Sequence, residues 1–261
     1  TIENTIKSII HQSGNFEIEY IIVDGASTDN TLSIANNYKR IVEENTKLNC
    51  IKVEIKIISE KDRGMYDAIN KGFAIASGEI LAWLNADDLY LPNTFQTIQQ
   101  VFCKYPKIKW LKGATIFSDL GGIRGTKNTN YIYNQKWIQK GIYGRNAPFI
   151  HQESVFWKKE LWQKINNLNS SLKLAGDYDL WIRMAKYARL WSVNKPVSIF
   201  QKRIGQLSSN MEKYRKEQAQ ISQEQGLTNK IVKIFFWLHN ALPDRLANLF
   251  DKTYPLICPS T

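Results

Sequence analysis

The chemistry of this chain gathers around Asp87-Asp88. The pair ends the stretch Glu79-Ile80-Leu81-Ala82-Trp83-Leu84-Asn85-Ala86, whose near-continuous apolar run fits a strand buried on both faces. Two adjacent carboxylates repel each other and would raise a pKa unless a cation offsets them. A hard divalent ion holding a diphosphate is the economical explanation. The competing explanation is capping of a helix opened by Pro92. Other acids repeat the pattern. Glu19-Tyr20-Ile21-Ile22-Val23 runs into Asp24-Gly25-Ala26-Ser27-Thr28-Asp29, and Asp62-Arg63 leads into a further helix. Asp177 and Asp179 stand where Leu180, Met184 and Tyr187 begin a helical spacing, and N-capping accounts for one of the two. His151-Gln152 is a polar pair ahead of the apolar Val155-Phe156-Trp157.

Elements must hold these groups in place. Residues 2–12 fit an amphipathic helix through Ile2, Ile6, Ile9 and Ile10. The run 19–23 reads as a strand, with a helix capped near Ser27 to Asp29. Residues 51–58 alternate apolar and charged side chains, as a half-exposed strand does. Met65, Ile69 and Phe73 mark a helix face, and Gly78 ends that helix ahead of the strand 79–84. The order α, β, α, β, α, β argues a parallel, doubly wound sheet. Ligands of open α/β sheets bind beyond the carboxyl ends of the strands, which is where Asp24 and Asp87-Asp88 fall. Residues 108–117 and 193–200 read as later strands. Residues 123–145 read as a surface excursion or as a lid over a second substrate. Residues 211–225 are polar and helical in pattern.

Composition narrows the class. The 261 residues suit one large domain or a domain with a tail, and 43% hydrophobic content supplies a sizeable core. The net charge of +11 implies anionic partners; residues 104–145 carry nine Lys/Arg against Asp119 alone. Clustered acids at the expected site would repel phosphates without a metal, which argues against a nucleic-acid partner. Cys50, Cys103 and Cys258 form no metal spacing and no disulfide framework, so a reducing, cytoplasmic setting is expected. No signal peptide and no apolar run of membrane-spanning length is visible. Ile231–Pro243 is strongly apolar and too short to span. Residues 226–261 are therefore expected either to dock on the preceding domain or a homodimer mate, or to lie in a membrane interface on the cytoplasmic face.

Three stretches taken in order resemble family 2 glycosyltransferases of the GT-A fold: Val23-Asp24-Gly25-Ala26-Ser27-Thr28-Asp29, Glu60-Lys61-Asp62-Arg63-Gly64-Met65-Tyr66-Asp67-Ala68-Ile69-Asn70-Lys71-Gly72 and Leu84-Asn85-Ala86-Asp87-Asp88. The likeness covers roughly the first 200 residues, and the similar subgroup builds bacterial surface polysaccharides and O-antigens. It implies a mixed, mostly parallel α/β sheet flanked by helices, with a catalytic domain over 1–209 and a helical, partly amphipathic extension over 210–261. It implies that Asp24, Asp62, Arg63 and Asp87 bind the sugar nucleotide, a UDP-sugar by family habit. Asp87 and Asp88 would hold Mg²⁺ or Mn²⁺ with the diphosphate, Asp88 as the direct ligand. Asn85 replaces the Asp that the family often has two residues before the pair. Asp177 would be the general base, and His151, Gln152 and Asp179 would belong to the acceptor pocket. Residues 201–209 resemble the loop that closes over the diphosphate. Absence of a Gln-x-x-Arg-Trp segment points to transfer of a single sugar, with inversion, to a glycan or lipid-linked acceptor. The family's opening strand has no counterpart here, and Thr1 begins what reads as a helix already under way, so an upstream segment is expected. The alternative to an enzyme is a non-catalytic GT-A-like protein that binds sugar nucleotides or partners.

Overall fold

The structure is a computed structural model that describes residues 1–44, 47–119, 122–123, 133–145, 147–203, 205–206 and 210–222. The alternation read from the sequence is present. It runs α1 (Ile2–Ile10), β1 (Gly14–Asp24), α2 (Thr31–Glu44), β2 (Cys50–Ser59), α3 (Met65–Ile75), β3 (Ile80–Leu81). β1 and β2 pair in parallel, with Tyr20 beside Ile55 and Asp24 beside Ser59. The chain continues through β4 (Leu89–Tyr90), α4 (Thr94–Lys104), β5 (Trp110–Asp119) and β6 (Gly122–Ile123). It ends in α5 (Gln135–Gln139), β7 (Val155–Lys158), α6 (Lys159–Ile165), α7 (Gly176–Ala185), β8 (Leu190–Gln201) and α8 (Met211–Ile221).

The larger sheet has the order β3-β7-β5-β8-β4, with β6 on the end of β5. β5 and β8 run parallel; β3 with β7, β5 with β7, β4 with β8 and β5 with β6 run antiparallel. The fold is thus α/β with a mixed sheet. Among the described residues β1–β2 and β5–β8 are the parallel pairs, while β3 and β4 of the first half join the larger sheet antiparallel to β7 and β8; antiparallel neighbours need no crossover helix.

Two boundaries depart from expectation. The apolar run 79–84 gives only Ile80 and Leu81 to the sheet, pairing with Lys158 and Trp157. Among the described residues β1 pairs with β2 alone, so residues 82–84 have no strand beside them on the β1 side. The fourth helix starts at Thr94 rather than at Pro92, because Asn93 adopts a left-handed conformation (φ 62°) ahead of it.

Two apolar cores position the site. One packs α1, α2 and α4 on β1 and β2, through Ile6, Ile18, Ile22, Val53 and Ile98. The other is built on tryptophans. Trp181 of α7 lies nearly parallel to Trp83, with ring centroids 6.1 Å apart, and stacks on Trp110 at 5.7 Å. Trp157 meets Trp181 edge-on. Tyr133 and Tyr143 are buried in this core, and the Gln135 and Gln139 amides each donate to the Ala185 carbonyl at 2.7 Å. Residues 133–145 are therefore packed structure against α7 rather than a loose excursion. Tyr131 and residues 124–132, the loop positions 204 and 207–209, and the whole of 226–261 with Cys258 lie outside the described residues. Among the described residues no helix is long and apolar enough to cross a membrane.

Candidate active site

A cleft of about 2120 Å³ runs between β1 and β3 along the length of β1, from Phe16 to Asp24, and includes the carboxyl ends of the first strands. Asp24, Asp62, Asp87, His151, Gln152 and Asp177 all line it. Arg63, Asp88 and Asp179 are not among its lining residues.

Asp24 closes its own turn. Both carboxylate oxygens accept the Ser27 N–H at 3.2 Å, and the Ser59 hydroxyl donates to Oδ2 at 2.7 Å. Burial works against its charge, but the hydrogen bonds from Ser27 and Ser59 outweigh it and hold the carboxyl below its usual range. Asp62 Oδ1 accepts the Gly64 N–H at 2.8 Å. A Cβ on Gly25 would lie 2.5 Å from Asp62 Oδ2, so the missing side chain lets the two acidic turns meet. Arg63 points into solvent, where its guanidinium pairs with Asp67 at 2.7 Å.

The Asp87-Asp88 pair splits by direction. Asp87 faces the cleft and accepts the Gln206 amide at 3.0 Å. Asp88 is fully buried. Its Oδ1 accepts the Gln201 N–H and its Oδ2 the Asn85 amide, while its carbonyl accepts the Thr5 hydroxyl of α1. Burial, then the carboxylates of Glu153 and Asp87, push its pKa well above the ordinary range. Asp88 therefore ties together α1, β8 and the turn that presents Asp87.

His151 precedes a 3-10 turn over Gln152–Ser154. Its ring packs edge-on to Phe117 at 5.0 Å. Burial, and then the Lys112 ammonium, lower its pKa to about 3, so the imidazole is neutral. The Gln152 amide has no hydrogen-bond partner on either atom among the described residues, although both atoms are buried. Buried amides are normally satisfied, and this one lines the cleft. Glu153, also fully buried, accepts a hydrogen bond from Thr115, and burial raises its pKa. Its Oε1 lies 3.8 Å from His151 Nδ1, too long for a hydrogen bond.

Asp177 and Asp179 open α7 as the spacing requires. Asp177 Oδ1 accepts the Tyr178 N–H at 2.8 Å and the Tyr214 hydroxyl at 3.1 Å. Burial pushes its pKa up to about 6, against the pull of those bonds. Trp181, one turn along the same helix face, anchors α7 in the tryptophan core and donates through Nε1 to the Ile150 carbonyl. Asp179 is held by the Arg183 guanidinium at 2.8 Å, and Arg183 also bonds the Ile165 and Asn167 carbonyls. Arg183, fixed by that carboxylate, brackets α7 to the segment before it.

Sequence reasoning missed Lys112, Glu153 and Tyr214, and reached Gln206 only as part of the 201–209 loop. A signal existed for Lys112, a charge within the apolar run of β5 well before its terminal Asp119, since a fully buried lysine is rare unless paired. Glu153 stands directly after the His-Gln pair. Nothing local marks Tyr214, which reaches Asp177 across 37 residues.

An α/β fold whose acidic strand ends and one helix start share a single cleft is the GT-A arrangement. The sequence places the chain more closely: residues 1–164 match the family model described as Glycosyl transferase family 2, and the chain belongs to that family. A PGL/p-HBAD biosynthesis glycosyltransferase of Mycobacterium bovis BCG is 28% identical over 181 residues, covering 68% of this chain and 62% of that protein. An uncharacterized glycosyltransferase of Nostoc is 34% identical over 101 residues, covering 39% of this chain and 28% of that protein. The chain thus spans about three fifths or less of the length of these relatives. Among solved structures, S. aureus TarS 1-349 in complex with UDP-GlcNAc superposes with a TM-score of 0.61 at 17% identity, covering 98% of this chain and 72% of that one. The mannosyltransferase PcManGT from Pyrobaculum calidifontis, in complex with GDP-Man and Mn²⁺, gives 0.60 at 16% identity, covering 92% and 66%. These two share the fold.

Proposed function

We propose that this chain carries the catalytic centre of an inverting glycosyltransferase that moves one sugar from a nucleotide-diphosphate sugar to an acceptor hydroxyl. The observation that carries this reading is the placement of Asp24, Asp62 and Asp87 on the same cleft as Asp177. The neighbours with UDP-GlcNAc and GDP-Man support a nucleotide-sugar donor, and we take UDP as the first nucleotide to test. The similarity to a PGL/p-HBAD glycosyltransferase supports a lipid-linked or cell-surface glycan acceptor.

Asp24 and Asp62, fixed by their own turns, accept hydrogen bonds from the nucleoside. Gln152, with an unpartnered amide, orients a sugar or acceptor hydroxyl beside neutral His151. Asp177 takes the proton from the attacking hydroxyl. With a pKa of about 6 it is ionised at neutral pH yet basic enough to accept that proton. Attack from the face opposite the diphosphate inverts the anomeric centre.

A divalent ion fits the donor set in a limited way. Among the described residues no three His, Cys, Asp or Glu side chains converge on one point. Mg²⁺ is commonly held by one or two carboxylates together with substrate phosphates, and Asp87 supplies one cleft-facing carboxylate. When bound, the ion would offset charge on the departing diphosphate. Asp87 would hold it, with buried Asp88 fixing the Asp87 turn from behind.

The cleft exceeds the usual size of a small-molecule site, roughly 300–1,000 Å³. We infer that part of it takes a further strand of extended chain between β1 and β3, the opening strand expected from the resemblance. In support, β1 has one paired edge among the described residues, and Ile18, Ile22, Ala82 and Leu84 wall the space. Large apolar voids are otherwise avoided in folded interiors.

The deciding experiment follows nucleotide release from a panel of UDP- and GDP-sugars with Mn²⁺ or Mg²⁺, for the wild type, Asp87→Asn and Asp177→Asn. Metal-dependent release from one donor, abolished by Asp87→Asn, is expected. Donor binding without release or transfer in every condition would replace the enzyme with a binding protein.

A further inference from the structure

The division at residue 209 places α8 outside the catalytic unit, yet its side chains reach into the site. Glu217 Oε2 accepts the Leu174 N–H at 2.9 Å and the Ala175 N–H at 2.8 Å; its Oε1 accepts the Lys173 N–H at 3.0 Å. One carboxylate thereby ties down three successive amides just ahead of α7. From α3, the Tyr66 hydroxyl donates to the Leu174 carbonyl at 2.6 Å. Gly176 has no room for a side chain, since a Cβ there would lie 2.6 Å from the Tyr66 ring. The backbone that presents Asp177 is thus gripped by α8 on one side and α3 on the other.

Tyr214, one turn before Glu217 on α8, has its ring buried and its hydroxyl on Asp177 Oδ1. The Tyr178 N–H occupies the same oxygen. Two donors use both lone pairs of Oδ1, which leaves Oδ2 to take a proton. We propose that Tyr214 is a positioning residue for Asp177 and that α8, clamped by Glu217, is a working part of the catalytic centre. This rests on the reading of Asp177 as the base.

Other charged groups face Asp177. Glu217 of α8 adds negative charge, while Glu153 of the 3-10 turn, its carboxyl pushed up by burial, is protonated where Asp177 titrates. Tyr66 of α3 stays neutral, its hydroxyl pushed up by burial and by Asp177 itself. Asp179 and Arg183, on the same helix, neutralise each other. Against this background the Tyr214 hydroxyl favours the charged carboxylate, and its removal makes Asp177 easier to protonate.

The test is Tyr214→Phe, which keeps the ring in its core and deletes only the hydroxyl. The Asp177 carboxyl is titrated by NMR on ¹³C-labelled aspartate, with its signal assigned through Asp177→Asn. A rise of about one pH unit is expected, with the acid limb of kcat against pH moving by the same amount and donor KM unchanged. A thermal melt of the variant checks the fold. An unmoved Asp177 titration in a folded Tyr214→Phe protein overturns the proposal. If the titration moves while Asp177→Asn keeps full activity, the contact stands and the base assignment falls.

Discussion

The proposed donor side and the proposed acceptor side of the cleft hold the same residue type by opposite means. On the proposed donor side, Asp24 and Asp62 are fixed by backbone donors of their own turns and, for Asp24, by the Ser59 hydroxyl on the neighbouring strand, and hydrogen bonding keeps Asp24 acidic. On the acceptor side, Asp177 stands on a helix anchored in a tryptophan core, and burial drives its carboxyl upward. The first arrangement keeps a carboxylate charged for binding. The second raises the carboxyl's affinity for a proton, as the proposed role of Asp177 requires. The environment, not the side chain, divides the labour.

The comparison breaks most visibly at Asp177. Asp177→Asn should lower turnover by about 10²- to 10⁴-fold while leaving donor affinity in place, measured by transfer assay and calorimetry. Loss of donor binding as well would show that the two sides are not separable. Trp157→Ala attacks the support instead. Trp157 is fully buried among Phe73, Trp83, Trp162 and Trp181, and its truncation should cost about 3–5 kcal/mol in denaturant melts. No exposed donor-side residue should approach that figure.

A stability measurement sharpens the contrast further. The folded pKa of Asp177 lies above its unfolded value, so its contribution to stability is complete below about pH 4 and is lost as pH rises through about 6. Asp177→Asn keeps both bonds on Oδ1 and removes the buried charge. It should raise Tm at pH 7 by about 2–4 °C, with no gain at pH 4. Ser59→Ala should behave in the reverse sense. It deletes the 2.7 Å bond that helps hold the Asp24 carboxyl down. A loss of about 0.5–1.5 kcal/mol is expected at pH 7. That loss should fade as pH falls through the folded pKa of Asp24, where the stabilisation disappears in wild type too. Identical pH dependence for the two variants would remove the distinction between the sides.

The proposed donor side was largely legible in the sequence because its turn bonds, Asp24 to Ser27 and Asp62 to Gly64, are local, whereas Ser59 and Gln206 reach Asp24 and Asp87 from afar. Val23 to Asp29 and Asp62 to Gly64 carry their own turn chemistry, and the αβαβαβ order follows from periodicity. The acceptor side was legible only in part. Asp177 is marked by the helix start, but Asp179 carries the same mark and is instead paired with Arg183. The split between cleft-facing Asp87 and buried Asp88 is likewise invisible in two identical letters.

By itself the sequence determined the order of elements, the acidic strand ends and the family, since these rest on contacts within a few residues. Tertiary structure alone decided which carboxylate faces the cleft, which is buried, and that α8 reaches back to the proposed base. Burial and the Tyr214–Asp177 bond depend on chain segments brought together from far apart, and a carboxyl's pKa follows from what surrounds it in space.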